Sequence, residues 1–285
     1  MQISPQDYDD FRRYLEEASG IVLGNNKHYL VTSRLSRLMR EFEIDDFGSL
    51  MARLKRERHA KLHERIIDAM TTNETLWFRD NYPFEVLKHV IFPELAQKKL
   101  RQLRIWSAAS SSGQEAYSIS ITLQEYLASR PGSLPSSAQI IGTDISASML
   151  KEATAGLYDK MSLARGMSEE RLKRYFSARG EKWEVRPEIK SRASFRELNL
   201  LSNFSTLGKF DIVFCRNVLI YFSSELKSDI LNRIAKQLNP GGYLFLGGSE
   251  SPTSYTDAFE LVRTPQGVVY RVRDNGAKPS PFAAR

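Results

Sequence analysis

The stretch that most constrains the fold is residues 103–115, LRIWSAASSSGQE. Leu103, Ile105 and Trp106 make a short apolar strand. Ala108 and Ala109 are small, Ser110, Ser111, Ser112 and Gly113 break the strand, and Gln114 opens an amphipathic helix reaching about Ser129. Strand, small-residue turn and helix are how an open α/β sheet builds a nucleotide crevice at the carboxyl ends of its strands. Small residues let a ligand approach the backbone, and the first helical N–H groups face it. The stretch has one glycine and does not match G-x-G-x-x-G, so its weight depends on the strands and helices downstream of it.

The same alternation continues. A second strand, 139–142, stops at Asp144, an acid where nucleoside-binding folds place a ribose carboxylate. Residues 146–153 and 168–176 read as helices. Two short strands, 183–186 and 193–198, with Pro187 between them, suggest a small inserted β-subdomain at about 177–197. Asn199 stands where a third parallel strand would end. Residues 210–214, FDIVF, are nearly all apolar, as expected of a strand covered on both faces, and lead into Cys215-Arg216-Asn217. A helix capped by Ser223 or Ser224 reaches Leu238. Asn239-Pro240-Gly241-Gly242 then turns the chain into a fifth strand, 243–246, ending in Gly247-Gly248-Ser249-Glu250. Strands 259–263 and 268–272 form a closing hairpin around Gln266-Gly267. Residues 274–285 read as a disordered tail.

Residues 1–70 follow another rule. Ser4-Pro5-Gln6-Asp7 is a helix start, Tyr8, Phe11, Leu15 and Ala18 line one face, and Gly20 stops it. A second helix, about 27–42, puts Val31, Leu35, Leu38 and Phe42 on one side and Arg34, Arg37 and Arg40 on the other, with no acid between Lys27 and Arg40. Two further helices carry Phe47, Leu50 and Leu54, then Leu62, Ile66, Ile67 and Met70. This predicts a small all-α domain. Residues 71–80, TTNETLWFRD, have no helical period. Their hydroxyls, amide, aromatics and charge in a connection suggest a linker with a binding loop, spanning 71–82; the α/β domain then covers 83–273.

Composition narrows the function. One cysteine, Cys215, excludes a disulfide framework and a cysteine-rich metal site, and the four histidines show no ligand spacing, so no metal is expected. No apolar run is long enough to span a bilayer and no secretory leader is evident, so a cytoplasmic protein without direct membrane insertion is expected. The net charge of +7 points to an acidic partner. At the strand ends, Glu115 and Asp144 can hold the ribose or aminocarboxylate side of a nucleoside, Asn199 can read an adenine edge, and Asn217 can add backbone or amide contacts. Each alone is compatible with a capping or surface role; four at successive strand ends favour a shared site. Five alternating strands and a terminal antiparallel hairpin predict an α/β class I (Rossmann-like) methyltransferase sheet, preceded by the all-α domain and carrying the β-subdomain.

TTNETLWFRD, WSAASSSGQEAYS, GTDIS, LNL and FDIVFCRNVLIYF together resemble the chemotaxis receptor glutamate O-methyltransferases (CheR), over nearly the whole chain. The resemblance implies S-adenosylmethionine contacts at Asn73, Thr75, Arg79, Glu115, Asp144, Asn199, Leu200, Arg216 and Asn217, with Arg79 and Tyr221 facing the methyl-transfer centre. Ala116 departs from a frequent proline, and Ser110-Ser111-Ser112 replaces a common Ser-Thr-Gly with similar small polar character. The implied substrate is a glutamate on a chemoreceptor cytoplasmic helical bundle. A glutamate is ionised at neutral pH, so no general base is needed. Positioning and water exclusion should supply most of the rate.

Two other classes stay open from the residues. Cys215 follows the fourth strand, where some nucleic-acid C5-methyltransferases keep a nucleophile, although no proline precedes it. A non-catalytic nucleotide-sensing adaptor would need a broken site, whereas Arg79, Asp144 and Tyr221 are all present. The resemblance favours the receptor enzyme, with no nucleic-acid partner. Arg34, Arg37 and Arg40 are candidate substrate-docking residues for a glutamate-rich bundle. Some family members grip a receptor C-terminal pentapeptide with a longer, glycine-rich loop in the β-subdomain. The short Ser177-Ala178-Arg179-Gly180-Glu181-Lys182 predicts a three-stranded subdomain that does not bind such a peptide tightly.

Overall fold

The computed structural model describes residues 3–56, 60–135 and 137–273; the tail expected to be disordered lies outside these. Four helices come first: α1 (Pro5–Ser19), α2 (His28–Glu41), α3 (Phe47–Arg56) and α4 (Ala60–Met70). The Ser4 hydroxyl accepts from the Asp7 N–H at the start of α1, and Gly20 ends the helix at φ 78°. Phe11, Leu15, Val31, Leu35, Leu50 and Ile66 are fully buried and share one core. That core explains why a period of 3.6 is a sufficient signal here: each helix buries one stripe in it.

Among the described residues ten strands follow in chain order: β1 (Arg104–Ala108), β2 (Gln139–Asp144), β3 (Leu157–Asp159), β4 (Phe176–Arg179), β5 (Lys182–Val185), β6 (Ala193–Glu197), β7 (Phe210–Cys215), β8 (Leu238–Leu246), β9 (Phe259–Thr264) and β10 (Gly267–Val272). Seven form one sheet in the order β6-β2-β1-β7-β8-β10-β9. β6, β2, β1, β7 and β8 are parallel, and β10 is antiparallel to both β8 and β9. This is the class I methyltransferase sheet, with the closing hairpin inserting its second strand beside β8. Its two faces carry separate cores, one around Ile105, Ile140 and Phe245, the other around Trp106, Val213 and Leu244. β7 is buried at all six positions, which is why FDIVF shows no alternation.

Three elements differ from expectation. Residues 193–198 do not join the β-subdomain: β6 pairs in parallel with β2, from Ile140 opposite Ala193 to Asp144 opposite Glu197, and forms one edge of the main sheet. The subdomain is instead β3-β5-β4, antiparallel throughout, so it lies between Leu157 and Val185 rather than at 177–197. β3 has three residues, too few to show a period. β6 is half exposed, as an edge strand is, and its polar residues resemble those of a surface hairpin. In addition, β8 begins at Leu238, before the Asn239-Pro240-Gly241-Gly242 turn, and takes a bulge there as its register against β7 shifts between Phe210 and Ile212. Helix 82–97 contains a π-helical turn, Leu87–Ile91, just before Pro93, which has no N–H to donate.

Candidate active site

The turn after β1 is strained in a useful way. Ala109 and Ser111 both have positive φ, 56° and 48°, rare for residues with a Cβ. The turn is held from outside: the Ser110 N–H donates to the Thr143 carbonyl at 2.9 Å, the Ser111 N–H to Asp144 Oδ2 at 2.7 Å, and the Ser111 hydroxyl to the Asn73 carbonyl at 2.9 Å. Asp144 therefore ties the ends of β1 and β2 together. Its other oxygen accepts from the Ser146 N–H at 2.9 Å, and burial nonetheless raises its pKa above the usual carboxylate range. With the Ile145 N–H also directed at it, the carboxylate keeps one lone pair for a further donor.

The start of the helix Gln114–Ser129 faces the end of β7. Glu115 accepts from the Ser107 hydroxyl at 2.7 Å and pairs with Arg216 at 3.2 Å. Arg216 is buried, and it also pairs with Asp80 at 2.6 Å and donates to the Arg79 carbonyl at 3.0 Å. Burial raises the Glu115 pKa, while the charges of Arg216 and Arg79 work in the opposite direction. The connection 71–80 is thus a wall of the site and is itself anchored. The Trp77 ring is buried edge-on against Tyr158 and Phe176, and the Trp77 backbone N–H donates to the Arg165 carbonyl at 3.1 Å. Gly166, at φ 104°, is required there: a Cβ would lie 2.0 Å from the Trp77 carbonyl oxygen.

One cleft collects these groups. Asn73, Thr75, Arg79, Glu115, Asp144, Arg216, Asn217 and Tyr221 all line it, with Ile145, Val218 and Phe222 as apolar neighbours. It spans about 830 Å³ counted out to its open mouth. The hydroxyl of Tyr221 makes no hydrogen bond among the described residues. Asn199 and Leu200 do not line the cleft. The Asn199 amide donates to the Ala18 carbonyl at 2.8 Å and its oxygen accepts from the Leu201 N–H at 3.0 Å, so it joins the helical domain to the sheet rather than presenting an edge to a base. Ser19 and Ile21, which no sequence motif marks, enter the lining instead, carried there by the turn after α1.

Three buried polar atoms of lining residues lack a partner among the described residues: Ser110 Oγ, Arg216 Nε and Asn217 Oδ1. Buried polar groups are almost always paired, so these fit a ligand rich in donors and acceptors, as S-adenosylmethionine is. Cys215 differs. It is fully buried, and burial with nearby Glu250 and Glu115 pushes its pKa far up, so the thiol is neither reachable nor ionised. Among the described residues no group of three or more His, Cys, Asp or Glu is arranged to hold a metal.

Family models for "CheR methyltransferase, all-alpha domain" and "CheR methyltransferase, SAM binding domain" match residues 6–71 and 73–268. The chain belongs to the CheR methyltransferase family. It is 53% identical over 275 residues to chemotaxis protein methyltransferase 1 of Pseudomonas aeruginosa, covering 96% of this chain and 100% of the relative. It is 52% identical over 269 residues to chemotaxis protein methyltransferase Cher2 of Pseudomonas putida, covering 94% and 98%. Against the chemotaxis protein methyltransferase of Salmonella typhimurium the identity is 36% over 259 residues, 88% and 86% of the two chains. The strained turn, Asp144 and the Glu115–Arg216 pair therefore stand in the SAM-binding domain of a CheR methyltransferase.

The candidate docking arginines of this CheR chain separate. Arg34 does not face outward: it donates to the Met70 and Thr71 carbonyls at 2.6 and 3.2 Å and to the Thr72 hydroxyl at 3.0 Å. These are the end of α4 and the start of the 71–80 connection, so Arg34 caps a helix and anchors a wall of the cleft. Arg37 and Arg40 remain exposed, and Arg37 pairs loosely with Glu41 at 3.4 Å.

Proposed function

We propose that this chain transfers a methyl group from S-adenosylmethionine to glutamate side chains on the cytoplasmic helical bundle of chemoreceptors, forming methyl esters. The observation that carries the reading is the convergence of Arg79, Glu115, Asp144, Arg216, Asn217 and Tyr221 on one cleft at the carboxyl edge of the sheet. When bound, S-adenosylmethionine supplies an electrophilic methyl group on a sulfonium centre. Asp144 accepts from the ribose hydroxyls with its spare lone pair, and Glu115, paired with Arg216, accepts from the amino group. Asn73, Thr75 and Asn217 add polar contacts. On the acceptor side Arg79 holds a carboxylate oxygen and the free hydroxyl of Tyr221 orients it. The acceptor glutamate is already ionised, so no side chain needs to remove a proton. The exposed Arg37 and Arg40 steer the acidic bundle toward the cleft.

The burial of Cys215 argues against a nucleic-acid C5-methyltransferase, and the intact polar lining argues against an adaptor. Among the described residues no helix is long and apolar enough to cross a membrane. In the β-subdomain, Gly180 and Glu181 join β4 to β5 as a two-residue hairpin without a long loop, which supports weak or no binding of a receptor C-terminal pentapeptide. The test is incubation with methyl-labelled S-adenosylmethionine and either receptor cytoplasmic fragments or RNA, followed by base. Label released from the receptor as methanol is expected. Base-stable label on RNA would replace this reading, and donor binding without transfer to either would favour an adaptor.

A further inference from the structure

Glu250, at the end of the Gly247-Gly248-Ser249-Glu250 segment, takes no part in the donor and acceptor contacts of the proposed reaction, yet its carboxylate is fully engaged. Oε2 accepts from the N–H groups of Asn217 and Gly247, each at 2.7 Å, and Oε1 accepts from the N–H of Ile220 at 3.3 Å. The Glu250 N–H closes the turn onto the Gly247 carbonyl at 2.9 Å. Gly247 allows this approach, because a Cβ there would lie 2.7 Å from both Asn217 Nδ2 and Glu250 Oε2. One carboxylate thus fixes two neighbouring pieces of the cleft. Asn217 sits at φ 58°, a conformation that must be held, and its buried Oδ1 has no partner among the described residues. Ile220 is the middle residue of the 3-10 turn Leu219–Tyr221, which carries the Tyr221 hydroxyl.

The geometry points to Glu250 as a positioning residue: it holds Asn217 on the donor side and Tyr221 on the acceptor side in one rigid relation, without lining the cleft itself. This rests on the methyltransferase reading. Charge-assisted bonds from backbone N–H groups to a carboxylate are short and strong, and they suit a task in which misplacement of a reacting group is costly. Glutamine cannot reproduce them. It has one acceptor oxygen, and its NH₂ would face an N–H donor in either orientation.

The experiment compares wild type, Glu250→Gln, Tyr221→Phe and the double variant in steady-state methylation of receptor fragments, with S-adenosylhomocysteine affinity measured by calorimetry. Glu250→Gln is expected to lower kcat at least tenfold and to weaken S-adenosylhomocysteine, while KM for the receptor fragment changes less than threefold. Because Glu250 acts partly through the turn that holds the Tyr221 hydroxyl, the double variant should lose less than the product of the two single losses. Glu250→Asp, which keeps the charge, should recover part of kcat, and it takes the same tests if the glutamine variant does not fold. Wild-type kcat in Glu250→Gln, or losses that multiply, would overturn the assignment. Inactivity of the wild-type chain toward every receptor fragment would instead remove the methyltransferase reading on which it rests.

Discussion

Arg216→Met isolates the buried ion pair that joins three parts of the site. The Arg216 side chain is 2% exposed, Glu115 14% and Asp80 43%. Asp80 can return to water when Arg216 is lost, so that branch is worth about 1 kcal/mol or less. Glu115 cannot, and the variant leaves a buried carboxylate without its cation, which costs roughly 3–5 kcal/mol. For a domain of this size that lowers the unfolding midpoint by roughly 6 to 20 °C. The sign of the pH dependence follows from Glu115. Burial already raises its folded pKa above the unfolded value, and Arg216 is the largest influence in the other direction. A carboxyl raised in the folded state contributes stability that is present below its unfolded pKa and lost as pH rises through its folded pKa. Removing Arg216 raises that folded pKa further. Glu115 then stays protonated in mild acid and costs little there, and the gap from wild type widens toward pH 8. Urea unfolding followed by fluorescence, with Trp77 and Trp106 both buried, measures it across this range. Adding Glu115→Gln to Arg216→Met should restore most of the loss at pH 8. A gap of equal size at pH 5 and pH 8, or no recovery in the double variant, would refute the reasoning.

Other outcomes rest on the same geometry. Asp144→Asn keeps one acceptor where two backbone N–H groups and a ribose are served, so S-adenosylhomocysteine should bind about 1–3 kcal/mol more weakly by calorimetry. Tyr221→Phe removes only a hydroxyl with no partner among the described residues, so calorimetric affinity for S-adenosylhomocysteine should hold while methylation turnover falls at least tenfold. Reversing Arg37 and Arg40 to glutamate should slow receptor methylation in low salt, with the difference shrinking as salt rises, and leave the unfolding midpoint within a few degrees of wild type.

The sheet is legible in the sequence because its strands are long, buried and separated by helices with clear caps, as at Ser146 and Ser223. Asp144 is legible because a strand end is a place defined by sequence order. What escapes are relations across the chain. Asn199 is correctly located after β6, yet its amide goes to Ala18, a hundred and eighty-one positions away, and nothing local signals that. Arg34 reads as part of a basic face because its partners are carbonyls, which every residue has and no pattern marks. Glu250 carries a faint signal, an acid shortly after two glycines, but two of its three N–H partners, Asn217 and Ile220, become neighbours only once β7 and β8 pair. The split between β6 and the small sheet is hidden for a similar reason: an edge strand and a surface hairpin show the same half-polar pattern.

Mapping the transferred methyl group distinguishes transfer to a carboxylate from transfer to an amine. Receptor cytoplasmic fragment treated with this chain and S-adenosylmethionine is digested, and tandem mass spectrometry locates the added methyl. The expected result is methylation confined to glutamate side chains of the helical bundle, lost after mild base and at least tenfold slower to accumulate when Tyr221→Phe replaces the wild type. Methyl groups on lysine, arginine or the peptide termini, stable to base, would contradict it.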